Sequence, residues 1–322
     1  MSKTLVKLGY VAMSVHLKNC SPSQTMTHAQ FTKLDDRSAA IRKLEQIANS
    51  NLENCLRLLK HNKAHDIHFF RLSSRLIPLA THEDLSDWNY LSSVKNSLET
   101  LGEFALENKM RIGFHPDHFV LLNSPKPEIL KQSLHVLRMH YHLLRGMKIS
   151  PQHRCVLHVG GNYKDTEASL ERFVSNWEEV PVGLQNMIIL ENDDKSFTLL
   201  DTLYLCEKLG IPLVFDYHHH LAHHVDPEWE VHWERVVKTW EHSPLPLKMH
   251  ISSPKNEKEF RHHADYIDFD MFRRFLQFIK GSVPEIHCMI EAKQKDEALF
   301  QLMRQFREKN EVEIVDQASF YI

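Results

Sequence analysis

Short, continuously apolar runs alternate with longer stretches of helical period along the whole chain. The runs are Val6–Ala12, Ile67–Leu72, Met110–Phe114, Cys155–Val159, Met187–Leu190, Pro212–Phe215, Leu247–Ile251 and Ile286–Ile290. Strands that are apolar throughout, rather than at every second position, suit a parallel sheet covered on both faces. Between them, Asp36–Leu59, Val94–Glu107, Pro127–Arg145 and Thr198–Leu209 repeat Leu, Ile or Ala every three or four residues. In the first of these, Leu44, Ile47, Leu52, Leu56 and Leu59 mark one helical face. Eight strands alternating with helices predict a closed (β/α)8 TIM barrel, an α/β fold, with residues 1–322 as a single domain. An open doubly wound sheet would give the same alternation, but no glycine-rich nucleotide turn follows the first run. No linker, repeat or low-complexity segment divides the chain.

Composition narrows the class. Hydrophobic residues make up 42% of the 322 and charged ones 25%, enough for a large core. No apolar run approaches the roughly 18–20 residues of a membrane helix, and the opening MSKTLVKLGY lacks signal-peptide features. The five cysteines are scattered with no C-x-x-C pair, which reads as reduced, buried thiols and predicts a cytoplasmic protein. A net charge of −3 excludes a uniformly basic nucleic-acid coat but leaves room for a local basic groove. Glycine is scarce at 9 residues, whereas histidine reaches 24, ten of them between His218 and His263.

Position decides what those histidines mean. In such barrels the active site lies at the C-terminal ends of the strands. Read in order, those ends hold Tyr10, Arg71, His115, His158, Glu191 with Asn192, Asp216 with His219, Lys248 with His250, and Glu291. Six consecutive strands thus place a histidine or carboxylate on one rim. Glu191, Asp216 and Glu291 gathered at one mouth would repel one another unless protonated or separated by cations. Imidazoles mixed with carboxylates suit divalent Mn, Fe or Zn. The reading is a polynuclear metal site able to activate a water and clamp the attacking and leaving oxygens of a phosphoryl displacement. Glu191, central in strand order, is the candidate bridge. Three consecutive histidines cannot face one centre; spacing favours Asp216 with His219, leaving His218 and His220 as exposed neighbours. Either His262 or His263 returns to the rim after the long seventh loop.

The ordered set Leu8-Gly9-Tyr10, Phe70-Arg71-Leu72-Ser73-Ser74 with Leu76-Ile77-Pro78-Leu79 and His82, His115-Pro116, Leu157-His158-Val159-Gly160-Gly161, Leu190-Glu191-Asn192-Asp193, Asp216-Tyr217-His218-His219, Lys248-Met249-His250, His263-Ala264-Asp265-Tyr266-Ile267 and Ile290-Glu291-Ala292-Lys293 resembles the UV damage endonuclease family. That family is related in fold to endonuclease IV and, more distantly, to xylose isomerase. The resemblance implies three divalent ions, Mn²⁺ before Zn²⁺, held by His115, His158, Glu191, Asp216, His219, His250, His263 and Glu291. It implies a carboxylated lysine at Lys248, and it places Tyr10 and His82 near the cleavage site. Where the family carries a glutamine–tyrosine pair that wedges into damaged DNA, this chain has His118 and Phe119; its Ser14 stands where the family has asparagine.

Arg71, Arg75 and Lys255, with Lys18, Lys258 and Arg261, are candidate phosphate contacts on the same rim. The expected function is incision of damaged double-stranded DNA immediately 5′ to a UV photoproduct, by a monomer that needs no nucleotide cofactor and no membrane. The rivals are an abasic-site endonuclease of the endonuclease IV type, a xylose isomerase-like sugar isomerase or epimerase, and a non-enzymatic metal-binding module.

Overall fold

A computed structural model describes residues 3–322. Its strands are β1 (Leu5–Val11), β2 (Phe69–Arg71), β3 (Arg111–Gly113), β4 (Cys155–His158), β5 (Ile188–Glu191), β6 (Leu213–Asp216), β7 (Leu247–Ile251) and β8 (Glu285–Ile290). They pair in parallel in the order β3-β2-β1-β8-β7-β6-β5-β4. Phe114 closes the remaining seam: its N–H donates to Arg154 O at 2.8 Å and its carbonyl accepts from Val156 N–H at 3.0 Å. Gly113 makes that closure possible, because a Cβ there would lie 2.4 Å from Arg154 O. The (β/α)8 expectation is met, and the rival open sheet is excluded by the seam.

The crossovers between strands are carried by α1 (Arg37–Ala64), α2 (Lys95–Glu107), α3 (Pro127–Gly146), α4 (Thr166–Trp177), α5 (Leu199–Leu209), α6 (Tyr217–Ala222) with α7 (Trp233–Lys238), and α8 (Phe269–Ile279), and a last helix, α9 (Lys295–Lys309), follows β8. Caps written in the sequence set several of their ends. The Asp36 carboxylate accepts from Ser38 N–H, and Thr198 and Asp201 form a reciprocal capping box. Gly210, at φ 67°, terminates α5 in the left-handed conformation.

Strand alternation sorts the side chains into two layers. Val6, Leu8 and Tyr10 join the large core under the helices, whereas Val11, Phe69 and Met289 meet separately inside the barrel. The barrel floor is polar. Glu285 accepts from His287 Nε2 at 2.6 Å and pairs with Lys7 at 2.9 Å, while Arg111 reaches His287 Nδ1 at 3.0 Å. A two-stranded ribbon, β9 (Glu313–Ile314) and β10 (Ser319–Tyr321), pairs antiparallel with the lower half of β1.

The His287 hydrogen bond, with help from Lys7, holds the Glu285 carboxyl down at about 2. Because the folded value lies below the unfolded one, this group stabilises the fold above the ordinary carboxylate range and loses that contribution as pH falls toward 2. Solvent screening of this half-buried group discounts the full shift, so Glu285→Gln is expected to remove about 1–2 kcal/mol near neutral pH and much less at about pH 3. Urea midpoints at the two pH values check this; an equal loss at both would refute it.

Candidate metal centre

Glu191 ends β5 and is fully buried. Its Oε1 lies 2.8 Å from His250 Nδ1 and 3.5 Å from His219 Nδ1. Its Oε2 lies 2.8 Å from His115 Nε2 and 4.0 Å from His158 Nε2. One carboxylate thus meets imidazoles presented by four other strands or their loops. Glu291 Oε1 lies 3.2 Å from His250 Nδ1, and Asp216 Oδ2 lies 3.6 Å from His219 Nδ1. The ligand atoms fall into three overlapping groups, each within 4.8 Å: His115–Glu191–His250, Glu191–Asp216–His219 and Asp216–His250–Glu291. Glu191, Asp216 and His250 each belong to two groups. A carboxylate shared between neighbouring groups has the arrangement a bridge between two cations requires.

Backbone carbonyls orient the remaining imidazoles. His219 Nδ1 donates to Asn192 O at 2.9 Å and His263 Nδ1 donates to Glu291 O at 2.6 Å, so each leaves Nε2 as a lone-pair donor. Asn192 also fixes Asp216, donating to its carbonyl at 3.0 Å and accepting from its N–H at 2.9 Å. In the sequence Asn192 is only part of a motif; its bracing role depends on a β5–β6 contact that spacing does not reveal.

The donor set fits divalent ions. Asp216 Oδ2, His250 Nε2 and His158 Nδ1 are buried without hydrogen-bond partners. Each such atom costs about 1–3 kcal/mol when left unsatisfied, and cations between them would remove that cost. Burial, then Glu291 and Asp216, push the Glu191 carboxyl well above its usual range. Burial raises Glu291 too, but Arg71 and the neighbouring histidines outweigh it and hold that carboxyl well below. Burial drives His115 and His250 far down and lowers His158, keeping them as the neutral imidazoles that metals bind. At His219 burial also lowers, but Asp216 and Glu291 prevail and raise it.

Lys248 points into the barrel beneath these groups. Burial, then Arg111 and Arg71, bring its ammonium down to about 7. Its Nζ lies 5.6 Å from the Phe69 ring centroid, and no carboxylate among the described residues lies within ion-pairing distance of it.

Several expectations need correction. Tyr10 does not reach the rim: strand alternation turns it outward, where it is fully buried and its hydroxyl donates to Asn62 Oδ1 at 2.6 Å. His82 caps a short 3₁₀ turn, accepts from Asp84 N–H at 3.2 Å and stacks on His28 at 4.0 Å. It groups with His28 and Asp84 rather than with the barrel donors. Arg71 is not a free rim cation, since it turns inward and pairs with Glu291. His218 and His220 are buried, not exposed.

The outer rim residues stand as expected in accessible loops. Phe119 is 55% exposed beside His118. Arg75 pairs with Asp117 at 3.2 Å, and Lys255 with Glu259 at 2.5 Å. Exposed pairs of this kind are worth about 0–1 kcal/mol, so a phosphate can displace the carboxylate cheaply. A cavity of about 220 Å³ opens between these loops and the donors, lined by Pro116, Asp117, His118, Gly160, Asp194 and His219 among others.

A sequence model of the UV-endonuclease UvdE family matches residues 6–320. A UV DNA damage endonuclease of Halalkalibacterium halodurans is 53% identical over 315 residues, 98% of each chain. One from Bacillus cereus is 40% identical over 299 residues, 93% of this chain and 94% of that one. Among solved structures, that of SacUVDE superposes with a TM-score of 0.83 at 30% identity, covering 95% of this chain and 99% of that one. Endonuclease IV from Thermus thermophilus gives a TM-score of 0.55 at 13% identity over 79% of this chain and 94% of that one, a likeness of fold.

Proposed function

The chain belongs to the UV-endonuclease UvdE family, and on that premise we propose that it is a DNA repair endonuclease that cuts the phosphodiester immediately 5′ to a UV photoproduct. The observation that carries the reading is buried Glu191 with a different histidine at each oxygen, at 2.8 Å on both sides. His115, His158, Glu191, Asp216, His219, His250, His263 and Glu291 would hold three divalent ions, with Mn²⁺ the first expectation and Zn²⁺ the second. Bound there, such ions supply Lewis-acid activation of water and neutralise charge on the phosphate and leaving oxygen.

The chain's own residues do the rest. Arg75 and Lys255 hold flanking phosphates, and His118 and Phe119 enter the duplex where a damaged, poorly stacked dinucleotide resists least. The near-neutral amine of Lys248 is a nucleophile for CO₂; a new N–C bond gives a carbamate and one proton leaves to solvent. The resulting oxygens would add negative charge beside the cations. We further propose that residues 1–322 act as one domain and as a monomer, in the cytoplasm where the DNA is, without a nucleotide cofactor. No helix among the described residues is long and apolar enough to cross a membrane.

Incubation with Mn²⁺ and irradiated, abasic or intact duplexes tests the reading. Incision of the irradiated duplex alone, mapped 5′ to the lesion, is the expected result. Preferential cutting of the abasic duplex would transfer the chain to the endonuclease IV type of activity. Phe119→Ala should weaken binding to irradiated duplex by about 1–3 kcal/mol, the worth of one base–aromatic stack. Arg75→Ala should weaken binding to every duplex alike and flatten its salt dependence. Filter binding at two salt concentrations separates the two effects, and unchanged affinity of Phe119→Ala for damaged duplex would reduce that ring to packing.

A further inference from the structure

Three consecutive histidines follow Tyr217 in α6, and the fold turns them three ways. His219 faces the carboxylates. His220 lies on the other side, its Nε2 donating to Pro227 O at 3.2 Å. His218 is fully buried, and both of its nitrogens are engaged at 2.7 Å: Nδ1 accepts from the Ser252 hydroxyl and Nε2 donates to the Phe260 carbonyl.

Ser252 and Phe260 belong to the arm that follows β7. Lys255 N–H donates to His262 O at 2.7 Å and Ala264 N–H to Ser253 O at 2.8 Å, and Pro254 bridges antiparallel to His263. The arm thus doubles back on itself as a hairpin. It carries Lys255, Lys258 and Arg261 outward, with Arg261 on Asp194 at 2.7 Å. At its base stands His263, whose ring centroid lies 5.7 Å from that of His218 and 6.3 Å from that of His219.

We propose that His218 is a positioning residue that brackets this hairpin, tying its near side at Ser252 to its far side at Phe260, and so sets where His263 presents Nε2 beside His219. The part concerning His263 rests on the metal-binding reading above; the bracket does not. A neutral imidazole accepts at one edge and donates at the other, and the two partners here fix its tautomer. No aliphatic residue can do either. The hairpin has few apolar anchors of its own, so losing this clamp should let it open without unfolding the barrel.

The test is limited trypsin digestion of the full chain, which has Lys255, Lys258 and Arg261 as cleavage sites within the arm. His218→Leu is expected to be cut in the arm about thirty-fold faster than the parent, the effect of losing about two net hydrogen bonds on local opening. After equilibration with Mn²⁺ and removal of excess, elemental analysis should find it short of one ion relative to the parent. His218→Gln, which can still donate to Phe260 O, should recover most of the resistance and the ion. Ser252→Ala removes one bond from the opposite side and keeps the idea testable if His218→Leu does not fold.

Parental cutting rates in both His218→Leu and Ser252→Ala would overturn the bracket. Faster cutting with a full metal complement would overturn the positioning of His263. A parent that binds no divalent ion would remove the metal reading instead, while the tryptic rates still decide the bracket.

Discussion

Glu191→Gln is expected to fold, to bind fewer divalent ions than the parent, and to lose incision by on the order of 10³-fold or more. The substitution keeps the side-chain volume, so the fully buried position on β5 is not overpacked. What it loses is the charge and one good acceptor oxygen. In the parent, Oε1 faces His250 and Oε2 faces His115 at 2.8 Å each, so the two oxygens serve two groups of donors at once. An amide presents a carbonyl to one side and an NH₂ to the other, and the NH₂ cannot ligate a cation. One of the two groups therefore loses its shared ligand whichever way the amide turns. Damaged-duplex binding should fall much less, because Phe119, Arg75 and Lys255 stand on other loops. Elemental analysis, filter binding and single-turnover incision measure the three quantities. Full metal content with near-parental incision would remove the bridge, and with it the proposed mechanism.

The fold was legible because its strands are buried on both sides and so are apolar throughout. β7 occurs over Leu247–Ile251 as the pattern predicted, and the other strands of the barrel fall within two residues of the apolar runs at either end. The β9–β10 ribbon was not legible, since two- and three-residue strands carry no periodicity. At the site, strand-end position found the carboxylates and histidines that the structure brings together around Glu191. It misplaced Tyr10, because being near a strand end does not say which face the residue takes; one step of alternation sends Tyr10 to the helices and Val11 to the barrel. It misplaced Arg71 for a different reason. A cation at a rim reads as a phosphate contact, but Glu291 lies within pairing reach only in three dimensions. The histidine triplet is half legible: spacing favours His219 and the family resemblance settles it, while the buried partners of His218 come from a loop more than thirty residues later.

Stripping the divalent ions with excess chelator should reduce incision to background, and added Mn²⁺ should restore it, because carboxylates mixed with imidazoles suit that ion. The same treatment should leave a thermodynamic trace independent of activity. Without cations, Glu191 is buried against Glu291 and Asp216, and its carboxyl is raised well above the usual range. The folded chain then holds a proton that the unfolded chain releases. Its stability is fully present below the ordinary carboxylate value and is lost as pH rises through the raised folded one. The metal-free protein should therefore lose thermal stability as pH is raised from the ordinary carboxylate range upward. The Mn²⁺-loaded protein should not show that loss, because cations replace the proton as the counter-charge. Returning Mn²⁺ to the metal-free protein in weak buffer should correspondingly release protons, since ligands must be deprotonated to bind. Thermal midpoints across pH with and without chelator, a pH-stat titration and an incision assay form one experiment. Full incision in excess chelator by a metal-stripped sample would exclude the polynuclear site. Midpoints that respond to pH identically with and without Mn²⁺ would show that Glu191 does not exchange a proton for a cation.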